Sequence, residues 1–153
     1  MYPAVLLVHS WLRWVVLLLA VVAIARAFAG ARAGRPWSPS DDQAGRLFVI
    51  SLDVQVLLGL VLYFVLSPIT RAALSDFGAA MQLSTSRFWA VEHVFGMVVA
   101  LLLAHRARMR VRAIQDPRRK HMVAAVFYTL ALLAMLASHP WPGTPNARPL
   151  FRF

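Results

Sequence analysis

Residues 14–25 read WVVLLLAVVAIA, an uninterrupted apolar run within a longer apolar segment that covers about residues 4–28. About 20 mostly apolar residues are enough for a helix to cross a bilayer. Three further segments have this character, at about residues 47–66, 88–105 and 121–138. The sequence therefore predicts four transmembrane helices. We expect the first segment to be a true span rather than a signal peptide, because Arg13 interrupts it and no basic stretch precedes it.

The overall composition also favours a membrane protein. Hydrophobic residues make up 60% of the chain and charged residues 14%, and the mean hydropathy is +0.65. Soluble domains are usually about 45–50% apolar and about 25% charged. The net charge of +10 could suit nucleic acid, but long apolar runs are not typical of nucleic-acid-binding proteins, so we expect the lipid bilayer as the partner. With no cysteine, the chain has no disulfide, thiolate metal site or covalent haem attachment.

The charges of the loops predict an orientation. The loop between the first and second spans carries Arg32, Arg35 and Arg46, and the loop at 106–120 is strongly basic, whereas the loop between the second and third spans has only two arginines. By the positive-inside rule the two basic loops are cytoplasmic, and both termini are non-cytoplasmic. The tryptophans are expected to form an interfacial belt at the non-cytoplasmic ends of the spans: Trp11, Trp14, Trp89 and Trp141.

Residues 1–153 are thus predicted to be one all-α domain, a four-helix up-down bundle that passes several times through a bacterial inner membrane.

Two histidines lie at matched depth in this predicted bundle. His9 is four or five residues into the first span and His93 is five residues into the third, which places both roughly 6–8 Å below the non-cytoplasmic edge at about 1.5 Å per residue. The first and third spans run in the same direction and are diagonal neighbours in an up-down bundle. Ionisable residues in spans are functional candidates, and two facing imidazoles suit axial ligation of haem iron.

A pocket can be predicted around this histidine pair. Gly96 shares a helix face with His93, and a stripe on the second span contains residues that leave space or offer polar groups. The predicted pocket residues are Arg13, Gln55, Gly59, Tyr63, Glu92 and Gly96. We expect Arg13 to pair with Glu92 rather than with a haem propionate, because it lies one turn deeper than His9. His139 is the third choice as a ligand, since Pro140 and Pro142 put it at a helix end.

Other polar residues have simpler interpretations. A buried histidine in a bundle can merely hydrogen-bond to a neighbouring helix. His105 and His121 adjoin the basic loops, and a surface role is expected for both. Asp53 lies about 20 Å from the non-cytoplasmic edge, where a carboxyl group can be protonated, pair with a base or relay protons. Without an evident partner, we expect it to be neutral and hydrogen-bonded.

The chain resembles a known family over nearly its whole length. The matching motifs are His9-Ser10-Trp11-Leu12-Arg13-Trp14, Gln55, Gly59, Leu62-Tyr63-Phe64, Ser67-Pro68, Arg87-Phe88, Glu92-His93, Pro140-Trp141-Pro142 and Arg148-Pro149. They resemble short bacterial four-helix integral membrane proteins catalogued as "cytochrome B". The resemblance implies a non-covalent b-type haem with His9 and His93 at the shared positions. It places an apolar residue where this chain has His139.

Several functions remain open at this point. The first is a small electron-transfer cytochrome with haem b near the periplasmic face, which exchanges electrons with quinol or a membrane redox partner. The second is an accessory subunit of a larger respiratory or photosynthetic complex, in which the histidines hold bacteriochlorophyll or no cofactor and the bundle packs against partners or lipid. Both make an electron carrier or complex subunit a better prediction than a stand-alone enzyme. A transporter is disfavoured because repeats and broken helices are missing from the sequence, and no hydrolase motif is present.

Overall fold

A computed structural model describes residues 1–152 of the chain, and within them the secondary structure is helical throughout. Four helices are long and apolar enough to cross a membrane, which confirms the predicted all-α, multi-pass architecture. In chain order the helices are α1 (Tyr2–Ala33), α2 (Pro39–Leu66), α3 (Pro68–Ser75), α4 (Phe77–Gln82), α5 (Ser84–Ala113) and α6 (Pro117–Ala137). The short helices α3 and α4 connect the second span to the third.

The four long helices form an up-down bundle. Helix α1 packs against α2 and α6, and α5 packs against the same two helices. Helices α1 and α5 therefore lie diagonally opposite each other, as the predicted order requires. One end of the bundle carries residue 1, helices α3 and α4, and the tail formed by residues 138–152; we call it the terminal end. The other end carries the loops 34–38 and 114–116 and is called the basic end.

The helices extend beyond the predicted spans mainly at the basic end. Helix α1 continues to Ala33 and ends where Gly34 adopts a left-handed conformation with φ 61°, which glycine accepts without a Cβ penalty. Helix α2 begins at Pro39 with a capping box between Ser38 and Asp41. The apolar segments mark where a helix crosses lipid, so its polar turns lie outside the hydropathy signal.

Small side chains form the core of the bundle. Fully buried alanines occur on three of the four long helices and include Ala20, Ala100, Ala104, Ala124 and Ala131. Small residues let membrane helices approach closely. Large apolar side chains point outward instead, and Leu18, Phe64 and Phe95 are each more than 60% exposed. This inverted pattern suits contact with lipid.

At the basic end, ion pairs connect the charged side chains. Arg26 and Arg35 both bind Asp41, whose side chain is 1% exposed. Arg108 forms a two-pronged bond to Asp42, with distances of 2.7 and 3.2 Å between nitrogen and oxygen atoms. Two-pronged arginine–carboxylate pairs combine strength with fixed geometry. These pairs tie α1, α2 and α5 together where they leave the apolar region.

The predicted surface position of His121 is wrong. Its side chain is completely buried, with the ring 4.8 Å from that of Trp37. The ring lies so close to Gly30 that a Cβ on that residue would overlap it. Glycine at position 30 therefore creates the space that takes His121 into the core, and neighbouring basic residues in the sequence do not reveal this.

Asp53 has a partner that the sequence did not suggest. Its Oδ1 lies 2.7 Å from Nε2 of His105, with side-chain exposures of 36% and 48%. The two residues join α2 to α5 on the outer surface of the bundle. The expected hydrogen bond is present, and its partner is His105 because the third span brings that residue to the level of Asp53.

Candidate functional site

A cavity lies at the terminal end between the long helices and the tail. Its volume is about 160 Å³, roughly ten times the space that one water molecule needs. Most of its wall is apolar, with contributions from α1, α2, α5 and the end of α6. The apolar lining includes Leu6, Val16, Leu17, Leu52, Val56, Leu60, Val94, Met97 and Met135. A concave, mainly apolar lining with a few polar groups is usual for small-molecule sites, but this volume is below their common range of about 300–1,000 Å³.

The cavity collects most of the residues that the sequence singled out. His9 lines it from α1 and His93 lines it from the diagonally opposite helix α5. The other predicted residues in the wall are Arg13, Gln55, Gly59, Tyr63 and His139. Matched depth on parallel helices was enough to place these side chains around one space.

Glu92 and Gly96 do not line the cavity, and the expected pair between Arg13 and Glu92 is wrong. The Glu92 carboxylate lies 2.8 Å from Nε of Arg87, and both side chains are 48% exposed. The Arg13 guanidinium donates instead to the Leu150 carbonyl of the tail. Gly96 packs against Ser138 with no room for a Cβ, so it serves the contact between α5 and α6. Counting residues from the membrane edge predicts how deep a side chain lies, but it does not predict the side of the helix on which Glu92 and Gly96 lie.

The orientation of His93 is fixed by a backbone bond. Its Nδ1 lies 2.8 Å from the Ser138 carbonyl oxygen. A carbonyl can only accept, so the proton is on Nδ1 and the lone pair is on Nε2. No hydrogen bond to Nε2 is found within residues 1–152. Metal-ligating histidines commonly donate their other ring nitrogen to a carbonyl in this way.

His9 is held by Gln55. The Gln55 amide nitrogen lies 3.0 Å from the His9 carbonyl oxygen and 3.3 Å from its Nε2. The carbonyl contact assigns this atom as the donating nitrogen, so Nε2 of His9 accepts and Nδ1 carries the proton. Nδ1 is buried and has no partner in the described chain, and the same holds for Oε1 of Gln55. Unpaired buried polar atoms cost free energy, which leaves this pair incompletely satisfied.

Two π-helical turns adjoin the cavity, at Leu62–Leu66 in α2 and Phe88–Glu92 in α5. Such turns are rare and frequently occur at functional sites. The Tyr63 hydroxyl donates to the Ala90 carbonyl at 2.7 Å and so connects the two turns. His93 follows the second turn directly, so this local geometry sets the direction of its ring. Sequence reasoning missed both turns, because apolar periodicity does not register a single π turn.

The tail closes the mouth of the cavity. Trp11 donates to the Arg152 carbonyl at 2.9 Å and Trp14 donates to the Leu150 carbonyl at 3.1 Å. Phe151 packs on both indole rings, with centroid distances of 5.7 and 5.3 Å. Trp11 and Trp14, which were expected only as interfacial anchors, therefore hold the tail on α1. No periodic pattern in the sequence predicts that the tail folds back onto α1.

The tail also brings charge and a third imidazole to the wall. Arg148, Arg152 and His139 line the cavity, and the Arg148 guanidinium lies 5.0 Å above the Trp89 ring. Burial, together with the charges of Arg13 and His93, lowers the pKa of His139 to about 4. Its imidazole is therefore neutral at pH 7. The sequence motif Arg148-Pro149 was noticed, but its place in the cavity was not foreseen.

Comparison with protein-family models, curated proteins and solved structures gives no match for this chain. Within the described chain, no group of three or more histidine, cysteine or acidic side chains could hold a bare metal ion. The donor set at the cavity consists of imidazoles from α1, α5 and the start of the tail. The site must be interpreted from this geometry.

Proposed function

We propose that the protein is a small b-type cytochrome-like carrier of a bacterial inner membrane, with one non-covalent haem between His9 and His93 near the periplasmic face. One observation supports this most directly: histidines from diagonally opposite helices line the same apolar cavity. Axial ligation of haem iron needs only two such donors. The resemblance of residues 9–14 and 92–93 to the "cytochrome B" family points in the same direction.

The residues fit this cofactor through their hydrogen bonds. His93 already donates Nδ1–H to Ser138, which leaves Nε2 as a ligand atom. His9 would use Nε2 after the Gln55 amide moves away. The bond that it gives up is long, at 3.3 Å, and a typical hydrogen bond contributes only about 1 kcal/mol net. The buried Nδ1 of His9 shows that the present arrangement is not fully satisfied.

The chain itself would control the surroundings of the bound group. When bound, haem supplies one-electron exchange at its iron. The apolar wall formed by residues such as Val16, Leu52 and Met97 excludes water from that group. Neutral imidazoles are cheaper to bury than charged ligands. Because the cavity lies at one end of the bundle, electrons would be exchanged with quinol or a membrane redox partner on that side rather than carried across the bilayer.

The decisive experiment is the optical spectrum and haem content of the protein purified in mild detergent from cells supplied with haem. We expect about one haem per chain in the pyridine haemochrome assay. His9→Ala and His93→Ala should each lose most of it. His105→Ala is the matched control, since His105 lies on the outer surface beside Asp53, and it should retain the cofactor.

Two outcomes would overturn the proposal. One is a wild-type protein that takes up no haem either in cells or after addition of haemin. The other is retention of full haem content in both single histidine variants. Extraction of the same samples into organic solvent detects a magnesium chlorin if that is the resident pigment. Proteins that co-purify identify the redox partner or the larger complex.

A further inference from the structure

Positive charge is concentrated around the cavity, and among residues 1–152 no acidic side chain lines it. Arg13, Arg148 and Arg152 all line the space, and its wall contains neither aspartate nor glutamate. All three side chains are partly shielded from solvent. Charges in such surroundings are costly unless they are paired. The described wall of the cavity offers them no acidic partner.

The six acidic side chains of the protein are all engaged elsewhere. Asp41, Asp42 and Glu92 pair with arginines outside the cavity, and Asp53 pairs with His105. Asp76 and Asp116 accept hydrogen bonds from backbone amides at the start of α4 and α6. None of these groups reaches the three cavity arginines. Among residues 1–152 no acidic side chain lines the cavity, so we take a bound ligand as the source of their negative partner.

Some N–H groups of these arginines have no hydrogen-bond partner within residues 1–152. Arg13 donates through one terminal nitrogen to the Leu150 carbonyl, but its Nε is buried and has no partner within residues 1–152. The guanidinium carbon of Arg148 lies 5.0 Å from the centroid of the Trp89 ring. Planar guanidinium groups bind carboxylates through paired hydrogen bonds. The geometry thus presents carboxylate-binding groups at the mouth of an apolar space.

We propose that the ligand of this cavity is a tetrapyrrole with free, ionised propionates, and that the three arginines select it over esterified tetrapyrroles. This inference rests on the proposed function and narrows it. Haem b carries two free propionates, whereas the carboxyl groups of bacteriochlorophyll are esters and have no charge to offer. The histidines by themselves could bind either pigment, whereas the arginines would favour haem b over bacteriochlorophyll.

The test compares haemin with haemin dimethyl ester, which has the same iron and ring but no free carboxylate. Ligand-free protein in detergent is titrated with each compound, and binding is followed by the Soret band. A hydrogen bond to a charged group contributes about 1.5–3 kcal/mol, so we expect haemin to bind at least tenfold more tightly than its ester. Arg148→Gln should reduce this ratio severalfold. Arg71→Gln, at an exposed position outside the cavity, is the matched control and should leave it unchanged.

The possible results separate this inference from the proposed function. Equal binding of haemin and its ester would overturn the role of the arginines while leaving the histidine pair intact. Failure of both compounds to bind would overturn the proposed function itself. Oleate tests the other source of a carboxylate, a lipid acid. If oleate at low micromolar concentration displaces haemin, the arginines serve fatty acids and the inference is wrong.

A stability measurement distinguishes ligand binding from a purely structural role of Arg148. In ligand-free protein, Arg148→Gln removes a charge without a counter-ion, so the midpoint of thermal unfolding should stay the same or rise. In haem-loaded protein the same variant should lower the midpoint relative to wild type. A lower midpoint in both states would show that Arg148 stabilises the tail by itself, and it would contradict the proposal.

Discussion

Arginine and glycine residues have different surroundings at the two ends of the bundle. At the basic end, Arg108 is bound by Asp42 and a large side chain occupies the space beside each of two glycines, His121 at Gly30 and Tyr128 at Gly45. At the terminal end, three arginines line a cavity that has no acidic side chain among residues 1–152, and Gly59 lies beside the His9 ring at the wall of this cavity. At the first end the arginine named here has its counter-ion within the chain, although both ring nitrogens of His121 are buried without a partner among residues 1–152. At the second end we propose a bound ligand.

This comparison shows how to distinguish structural from functional polar residues in a membrane bundle. A buried charge whose counter-ion lies in the chain depends on that partner, whereas a partly shielded charge without one among the described residues is a candidate ligand contact. At Gly30 a Cβ would overlap the neighbouring ring, whereas at Gly59, which lines the cavity, a Cβ would lie 3.3 Å from the His9 ring. The following variants test these two distinctions.

The largest effect is expected from Asp42→Asn at the basic end. The side chain of Arg108 is only 8% exposed, so the substitution leaves a buried charge without its counter-ion. Breaking such a pair costs about 3–5 kcal/mol, and we expect a value near the lower limit because Arg108 keeps its bond to the Asp42 carbonyl. Equilibrium unfolding in mixed detergent measures the loss. The double variant with Arg108→Met should regain most of it, and a loss below 0.5 kcal/mol in the single variant would contradict this account.

Substitution of one glycine at each end should change the free energy of unfolding less than Asp42→Asn does. In Gly30→Ala the new Cβ would overlap the ring of His121, and overpacking typically costs about 1–3 kcal/mol. In Gly59→Ala the Cβ would lie 3.3 Å from Cε1 of His9, beside an open cavity. We expect that variant to lose less than about 1 kcal/mol of stability but to bind haemin several times more weakly. Thermal unfolding and Soret titration of both variants measure the two effects, and the opposite assignment would refute the comparison.

The smallest effect concerns Gln55, which competes with a ligand for His9. Gln55→Leu removes the amide that donates to Nε2, a bond worth about 1 kcal/mol net. We expect haemin affinity to stay equal or to rise by roughly fivefold. Gln55→Glu serves as a polar control that keeps the side-chain length. A large loss of affinity in the leucine variant would show that Gln55 positions His9 rather than blocking it.

The fold was largely predictable because a bilayer imposes one strong requirement. Apolar runs of span length can satisfy their backbone groups only as helices, so the segments at 47–66 and 88–105 could be recognised from hydropathy alone. The helix ends were harder to predict, since α1 continues to Ala33 and α2 starts at Pro39. Those turns lie outside the apolar region and depend on the Gly34 and Ser38 caps.

The site was predictable in depth but not in direction. A rise of about 1.5 Å per residue placed His9 and His93 on one level, and both line the cavity. The same counting failed for Glu92, which points outward, because the π turn before His93 changes the local register. It also could not foresee that Arg148 reaches the cavity, since the tail has no periodic pattern and is positioned by Trp11 and Trp14 of a distant helix.

The attachment of the tail to α1 has a consequence for the timing of assembly. The hydrogen bonds from Trp11, Arg13 and Trp14 reach partners 136 to 141 positions later in the chain. The wall of the cavity is complete only when the end of α6 has been made, and at a synthesis rate of about 5–20 residues per second Leu150 follows Leu136 by about one to three seconds. During this interval the cavity has no cover. A newly made chain can therefore be loaded from the open side, and the last segment to emerge then retains what has entered.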